Sequence, residues 1–115
     1  MIDTRWVELC GLGELEPFWG EAALVGDRQV ALFLLSGGQL YAVSNRCPVS
    51  GAQVMSRGIV GSKGGRPTIA SPLHKQVYDL ETGECLSEDG QALDTFPVRV
   101  VDGLVQVSLE PDPVR

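Results

Sequence analysis

Apolar residues recur at every second position along this chain, in short runs broken by turn dipeptides, and no segment sustains the three-to-four spacing of a helical stripe. The closing segment shows it best. Asp102-Gly103 is a two-residue hairpin signal, because the favoured turn needs positive φ at both central positions. Counting outward pairs Val100 with Val105, Val98 with Val107 and Phe96 with Leu109 on one face, and Arg99 with Gln106 and Pro97 with Ser108 on the other. That register predicts one apolar face turned inward and one mostly polar face turned outward. Upstream, Gly26-Asp27 and Gly37-Gly38 flank the run Val30-Ala31-Leu32-Phe33-Leu34-Leu35, and residues 39–44 return as its partner, which predicts a meander. Further strands are predicted at residues 66–70 and through Gln76-Val77-Tyr78, followed by a loop over 79–84 in which Gly83 takes positive φ. Residues 12–20 read either as loop or as a short helical turn. Many short strands with regular turn signals predict an all-β antiparallel sandwich or barrel in one domain over residues 1–115, with a core over about 5–109 and a loose tail at 110–115.

A chain of 115 residues buries roughly two thirds of its unfolded surface, so one core suffices. The first six residues lack a basic region followed by an apolar stretch, and the longest apolar run, 30–35, is far short of the ~20 residues that span a bilayer. Three cysteines, an odd number, fit a reducing compartment better than a disulfide framework. A cytoplasmic protein without a membrane partner is expected. Charge adds more to the picture. Arg46, Arg57, Lys63, Arg66 and Lys75 fall in one stretch with no Asp or Glu, whereas the rest of the chain carries four basic and fifteen acidic side chains. If those loops are neighbours, one end of the molecule is positive and steers docking. The net charge of −6 and the lack of aromatics among the basic residues disfavour nucleic acid.

Two loops carry the candidate chemistry, Cys47-Pro48-Val49-Ser50-Gly51 and Ser71-Pro72-Leu73-His74-Lys75. Both predicted tips have the Pro/Gly framing of a Rieske [2Fe–2S] site, in which two thiolates hold one iron and two imidazoles the other. The usual ligands are Cys-x-His in the first loop and Cys-x-x-His in the second. Here Cys47 and His74 stand at ligand positions, but Val49 occupies the place of one histidine and Ser71 that of one cysteine. Valine offers no lone pair, and a serine hydroxyl is a poor substitute for the soft thiolate that iron–sulfur chemistry selects. Cys10 and Cys85 do not repair the set, since neither has a histidine two or three residues away.

With these loops, the Gly83 turn and the closing hairpin, the chain resembles Rieske-like domains, and most of all the small-subunit family of assimilatory NAD(P)H-dependent nitrite reductases. The stretches that carry the likeness are 26–33, 56–61, 70–76 and 100–105, with Arg57-Gly58 and Ser71-Pro72-Leu73 before Lys75-Gln76 the most telling. The resemblance implies a Rieske-like β fold whose cluster ligands are incomplete, and no cofactor or metal in this chain. It implies a role in reducing nitrite to ammonium during nitrate assimilation, with FAD, sirohaem and a [4Fe–4S] centre in a large catalytic subunit. No Gly-rich dinucleotide fingerprint and no catalytic constellation is readable, so no catalytic residue is expected. The expected docking residues are Arg46, Arg57, Lys63, Arg66 and Lys75, with the glycine-rich segment 58–65. The competing reading is a Rieske-type electron-transfer ferredoxin with non-standard ligands drawn from Cys47, His74 and another cysteine.

Overall fold

The computed structural model describes residues 6–73, 76–87 and 92–108. Their strands are β1 (Trp6–Gly11), β2 (Glu21–Val25), β3 (Arg28–Leu34), β4 (Leu40–Ser44), β5 (Ile59–Lys63), β6 (Arg66–Ala70), β7 (Val77–Asp79), β8 (Thr95–Phe96), β9 (Val98–Val101) and β10 (Leu104–Ser108). They form three antiparallel sheets, ordered β1-β10-β9, β2-β3-β4-β8 and β5-β6-β7. None of the described helical turns is long or apolar enough to cross a membrane.

The closing hairpin has the predicted register, with Val100 opposite Val105, Arg99 opposite Gln106 and Val98 opposite Val107. Asp102 and Gly103 take φ of 52° and 78° at the turn, the mirror-image turn that matches strand twist. Arg99 donates to Gln106 at 2.7 Å and lays its guanidinium over the Trp6 ring, so the outer face is held by polar and cation–π contacts. The inner face departs from expectation at two places. Val105 and Val107 are buried but Val100 is exposed, because β9 is an outer strand of its sheet whereas β10 is the central one. Phe96 leaves the hairpin and pairs with Ala42 in the second sheet. Its predicted partner Leu109, like the tail, lies outside the described residues.

The run at 30–34 explains how the sheets stack. Ala31 and Phe33 enter one core with Cys47, Met55, Ile69, Tyr78, Leu80 and Leu93, while Val30 and Leu32 enter a second core with Leu15, Val25, Phe96, Val105 and Val107. Successive strand residues face opposite sides, so β3 is apolar without interruption because both of its faces are buried. The second sheet is thus the middle layer. The predicted meander is its β3–β4 pair, and residues 12–14 form the short 3₁₀ turn.

The third sheet contains a strand that alternation did not reveal. The glycine-rich segment 58–65 folds as β5 plus a two-residue turn, with Gly64 and Gly65 at φ of 61° and 81°. A side chain on Gly58 would sit 2.3 Å from the Ala70 carbonyl oxygen, so that glycine is needed for close strand entry. After β7 the chain turns on Asp79, whose Oδ1 accepts from the amides of Glu81 at 2.7 Å and Thr82 at 3.1 Å. Gly83 closes that loop at φ 82°, as predicted.

Candidate functional site

The two loops meet between the middle and third sheets. Only the second, residues 71–76, is a hairpin tip, joining β6 to β7; the first, residues 45–58, crosses from β4 to β5 in another sheet. That crossing needs more chain than a hairpin turn and anchors at both ends. Asn45 provides them. It is almost wholly buried, its Nδ2 donates to Gln29 Oε1 at 3.0 Å, and its Oδ1 accepts from the Ser56 amide at 2.7 Å. Its carbonyl accepts from the Met55 amide at 2.9 Å. A buried amide satisfied on both sides fixes loop geometry in a way an apolar residue cannot. Sequence reasoning missed Asn45 and Gln29, for nothing in periodicity marks an Asn beside Arg46-Cys47 as an anchor.

Between those anchors the Cys47 amide donates to the Ala52 carbonyl at 2.8 Å, and the Gly51 amide returns to the Cys47 carbonyl at 2.8 Å. Gly51 takes φ 78°, the left-handed conformation that lets the turn close. The Arg46 guanidinium lies over it, 3.3 Å from where a side chain would begin. In the second loop the Ser71 amide donates to the Gln76 carbonyl at 2.9 Å, and Ser71 Oγ accepts from the Leu73 amide at 3.4 Å. The loops touch through two of the predicted ligand positions: Cys47 Sγ lies 3.4 Å from Ser71 Oγ, and both residues are buried.

Burial pushes the Cys47 thiol up, but the hydrogen bonds from the Ser71 hydroxyl, from the Ser50 amide and hydroxyl and from the Val49 amide outweigh it. The thiol is held below its ordinary value. Cys10 is raised by burial and then by Glu14 and Glu21. Val49 and Leu73 are 49% and 53% exposed, so the rim around the Cys47–Ser71 contact is apolar and faces water. Among the described residues no group of three or more His, Cys, Asp or Glu stands close enough together to hold a metal ion. His74 and Lys75 lie outside the described residues.

The expected docking cations are in different states. Arg57 ends the 3₁₀ turn Met55–Arg57 and is exposed, with no ion-pair partner among the described residues. Lys63 closes β5 and donates to the Leu86 carbonyl at 3.3 Å. Arg46 borders a polar pocket of about 450 Å³ with Arg28 and Asp94. Arg66 is bound within the fold, because its guanidinium meets the buried Asp79 carboxylate and approaches Glu84 at 3.5 Å.

The family model described as the Rieske-like [2Fe–2S] domain matches residues 5–108. The chain is 35% identical over 105 residues to the nitrite reductase (NADH) small subunit of Escherichia coli, covering 90% of this chain and 97% of that one. It is 41% identical over 102 residues to the nitrite reductase [NAD(P)H] large subunit of Klebsiella oxytoca, covering 89% of this chain but 11% of the other. A crystal structure from Mycobacterium tuberculosis, provisionally assigned as an NADH-dependent nitrite reductase small subunit, superposes with a TM-score of 0.87 at 42% identity. It covers 93% of this chain and 96% of that one.

Proposed function

This chain belongs to the Rieske-like [2Fe–2S] domain family as a homologue of the nitrite reductase small subunit, and from that kinship we propose that it is a non-catalytic, cytoplasmic partner of a large nitrite reductase subunit. One observation carries the partnership. In the Klebsiella protein a domain like this one occupies 11% of a nitrite reductase large subunit, so there the two are one polypeptide. A separate chain of the same kind is suited to dock where that domain sits. In this reading FAD, sirohaem and the [4Fe–4S] centre belong to the large subunit, which reduces nitrite to ammonium with electrons from NAD(P)H.

The donors at the paired loops do not fit a Rieske cluster. Cys47 and Ser71 supply one thiol and one hydroxyl engaged with each other, and Val49 supplies no donor, so each iron loses one of its two protein ligands. The described parts of these loops serve instead as a docking surface: Asn45 anchors the first loop, and the apolar rim of Val49 and Leu73 and the exposed Arg57 face outward. Electrostatic attraction to an acidic patch accelerates encounter, and apolar burial holds the complex.

The test is co-purification with this chain as bait from cells grown on nitrite. A large polypeptide with flavin and sirohaem absorption, whose nitrite reduction rises on adding the chain, is the expected partner. A partner lacking both chromophores, or turnover of nitrite by this chain alone, overturns the reading.

A further inference from the structure

The outer edge of β5 combines features that the fold itself does not use. Among the described residues β5 is hydrogen-bonded only to β6 and forms the margin of its sheet. The two-residue turn at Gly64-Gly65 makes Lys63 and Arg66 a hydrogen-bonded pair. Alternation then makes Gly61–Thr68 and Ile59–Ala70 hydrogen-bonded pairs as well. It follows that Val60 and Ser62 aim their N–H and C=O groups away from β6. No turn, loop or side-chain bond reaches those groups among the described residues.

Beside this margin, against the face of the β5–β6 hairpin, lies a groove of about 340 Å³, with Val60 to Ser62 and Pro67 of β6 on one side and Phe18, Leu35 and Gln39 on the other. Phe18 is the strained element of its wall. Its φ of 69° is a conformation that bulky residues rarely adopt, and the residue is still 52% exposed. The turn that holds it is fixed by amide bonds, Phe18 to the Leu34 carbonyl at 2.8 Å and Trp19 to the Glu16 carbonyl at 3.1 Å. Strain that buys no burial points to a contact outside the chain.

We infer that the β5 edge and the Phe18 wall receive an extended segment of the large subunit, added as a further strand to the third sheet, with apolar residues toward Phe18 and acidic residues toward Arg57 and Lys63. This deepens the proposed partnership and rests on it. The chemistry selects such an occupant. A row of outward N–H and C=O groups is satisfied by another strand's backbone, whereas a compact small molecule leaves most of the row unpaired. The apolar wall asks for a side chain on alternate positions, and the cations that bracket β5 ask for carboxylates. A second copy of this chain is a poorer fit, since antiparallel pairing of two β5 edges about Gly61 brings Lys63 of one copy toward Arg57 of the other.

The test is amide hydrogen exchange on the free chain and on its complex with the purified large subunit, with binding measured alongside. In the free chain Val60 and Ser62 amides exchange fast while Gly61 and Lys63, bonded to β6, exchange slowly; in the complex all four are slow. Ser62→Pro removes only an outward donor at an exposed position, so it keeps the fold and weakens binding about tenfold, the scale of one lost hydrogen bond. Phe18→Gly weakens binding without lowering the melting temperature, because glycine accepts the positive φ. A complex that forms while Val60 and Ser62 stay fast, or that binds both variants as tightly as wild type, overturns the edge proposal and leaves the partnership standing. Absence of any complex overturns the partnership and the edge proposal with it. Should Ser62→Pro fail to fold, the exchange pattern of the wild-type chain decides alone.

Discussion

The Cys47–Ser71 contact gives a direct way to ask whether two side chains, or a remodelled site, separate this chain from a cluster-bearing relative. The perturbation is the double substitution Val49→His with Ser71→Cys. Two thiolates bound to one metal at about 2.3 Å in tetrahedral geometry lie about 3.7–3.8 Å apart, and Cys47 Sγ already stands 3.4 Å from Ser71 Oγ. The backbone therefore needs to give only a few tenths of an ångström. The cost to the empty protein is small. Ser71 Oγ makes two long contacts, to Cys47 and to the Leu73 amide, both at 3.4 Å, whose loss costs about 1 kcal/mol. Val49 is half exposed, and replacement there changes stability by at most about 0.5 kcal/mol. For a domain of this size that sum lowers the melting temperature by about 4–6 °C. The assay is anaerobic reconstitution with iron and sulfide, read by visible absorption and by EPR after reduction. The expected result is a Rieske-type spectrum in the double variant, a melting temperature restored by the cluster, and no such spectrum in either single variant. A folded double variant that takes up no cluster would refute the argument, and would mean that the loop backbones themselves have lost ligand geometry.

Other consequences follow from particular contacts. Arg66→Met strands the buried Asp79 carboxylate on two amide donors; with Arg66 half in water, a loss of about 2 kcal/mol in urea unfolding is expected, partly recovered by adding Asp79→Asn. Gly83→Ala places a methyl group 1.9 Å from the Leu93 carbonyl oxygen at positive φ and should cost more than about 3 kcal/mol, whereas Gly26→Ala, at positive φ but in open space, should cost about 1 kcal/mol. Equal costs would contradict the close approach at Gly83. Alkaline stability should divide the cysteines. Cys10 is raised above 9.0, so its unfolded thiol ionises first and its contribution, full below pH 9, is lost as pH climbs toward the raised value. Cys47 is lowered, so its folded thiol ionises first and stability is gained between its lowered value and 9.0. Between about pH 7.5 and 10 the melting temperature of Cys10→Ser should therefore fall less than that of wild type, and that of Cys47→Ser more.

The closing hairpin and the β3–β4 pair were legible because local chemistry specifies them. Asp102-Gly103 admits few turns, and the alternation of Val98, Val100, Val105 and Val107 admits one register. What stayed hidden depends on the third dimension. Alternation in β9 cannot tell that Val100 lies on a sheet margin, and Pro97 does not announce that Phe96 will cross to another sheet. β5 was obscured because Gly58, Gly61, Gly64 and Gly65 read as loop, although Gly58 is needed for a close approach and Gly64-Gly65 for a turn. At the site, the spacing of prolines and glycines disclosed the paired loops, and the structure brings Cys47 and Ser71 together. It did not disclose Asn45, since a buried amide anchor depends on Gln29 and Ser56, 16 and 11 residues away in the chain. Nor did charge counting separate Arg57, exposed and without an ion-pair partner among the described residues, from Arg66, already matched to Asp79.

The central claim is that a cluster-binding frame persists here with half its ligands replaced. Iron and acid-labile sulfide analysis of anaerobically purified wild-type chain, with an EPR spectrum after reduction, tests it most directly. The account predicts iron far below one atom per chain and no reduced-cluster signal. Two irons and two sulfides per chain with a Rieske-type spectrum would contradict it.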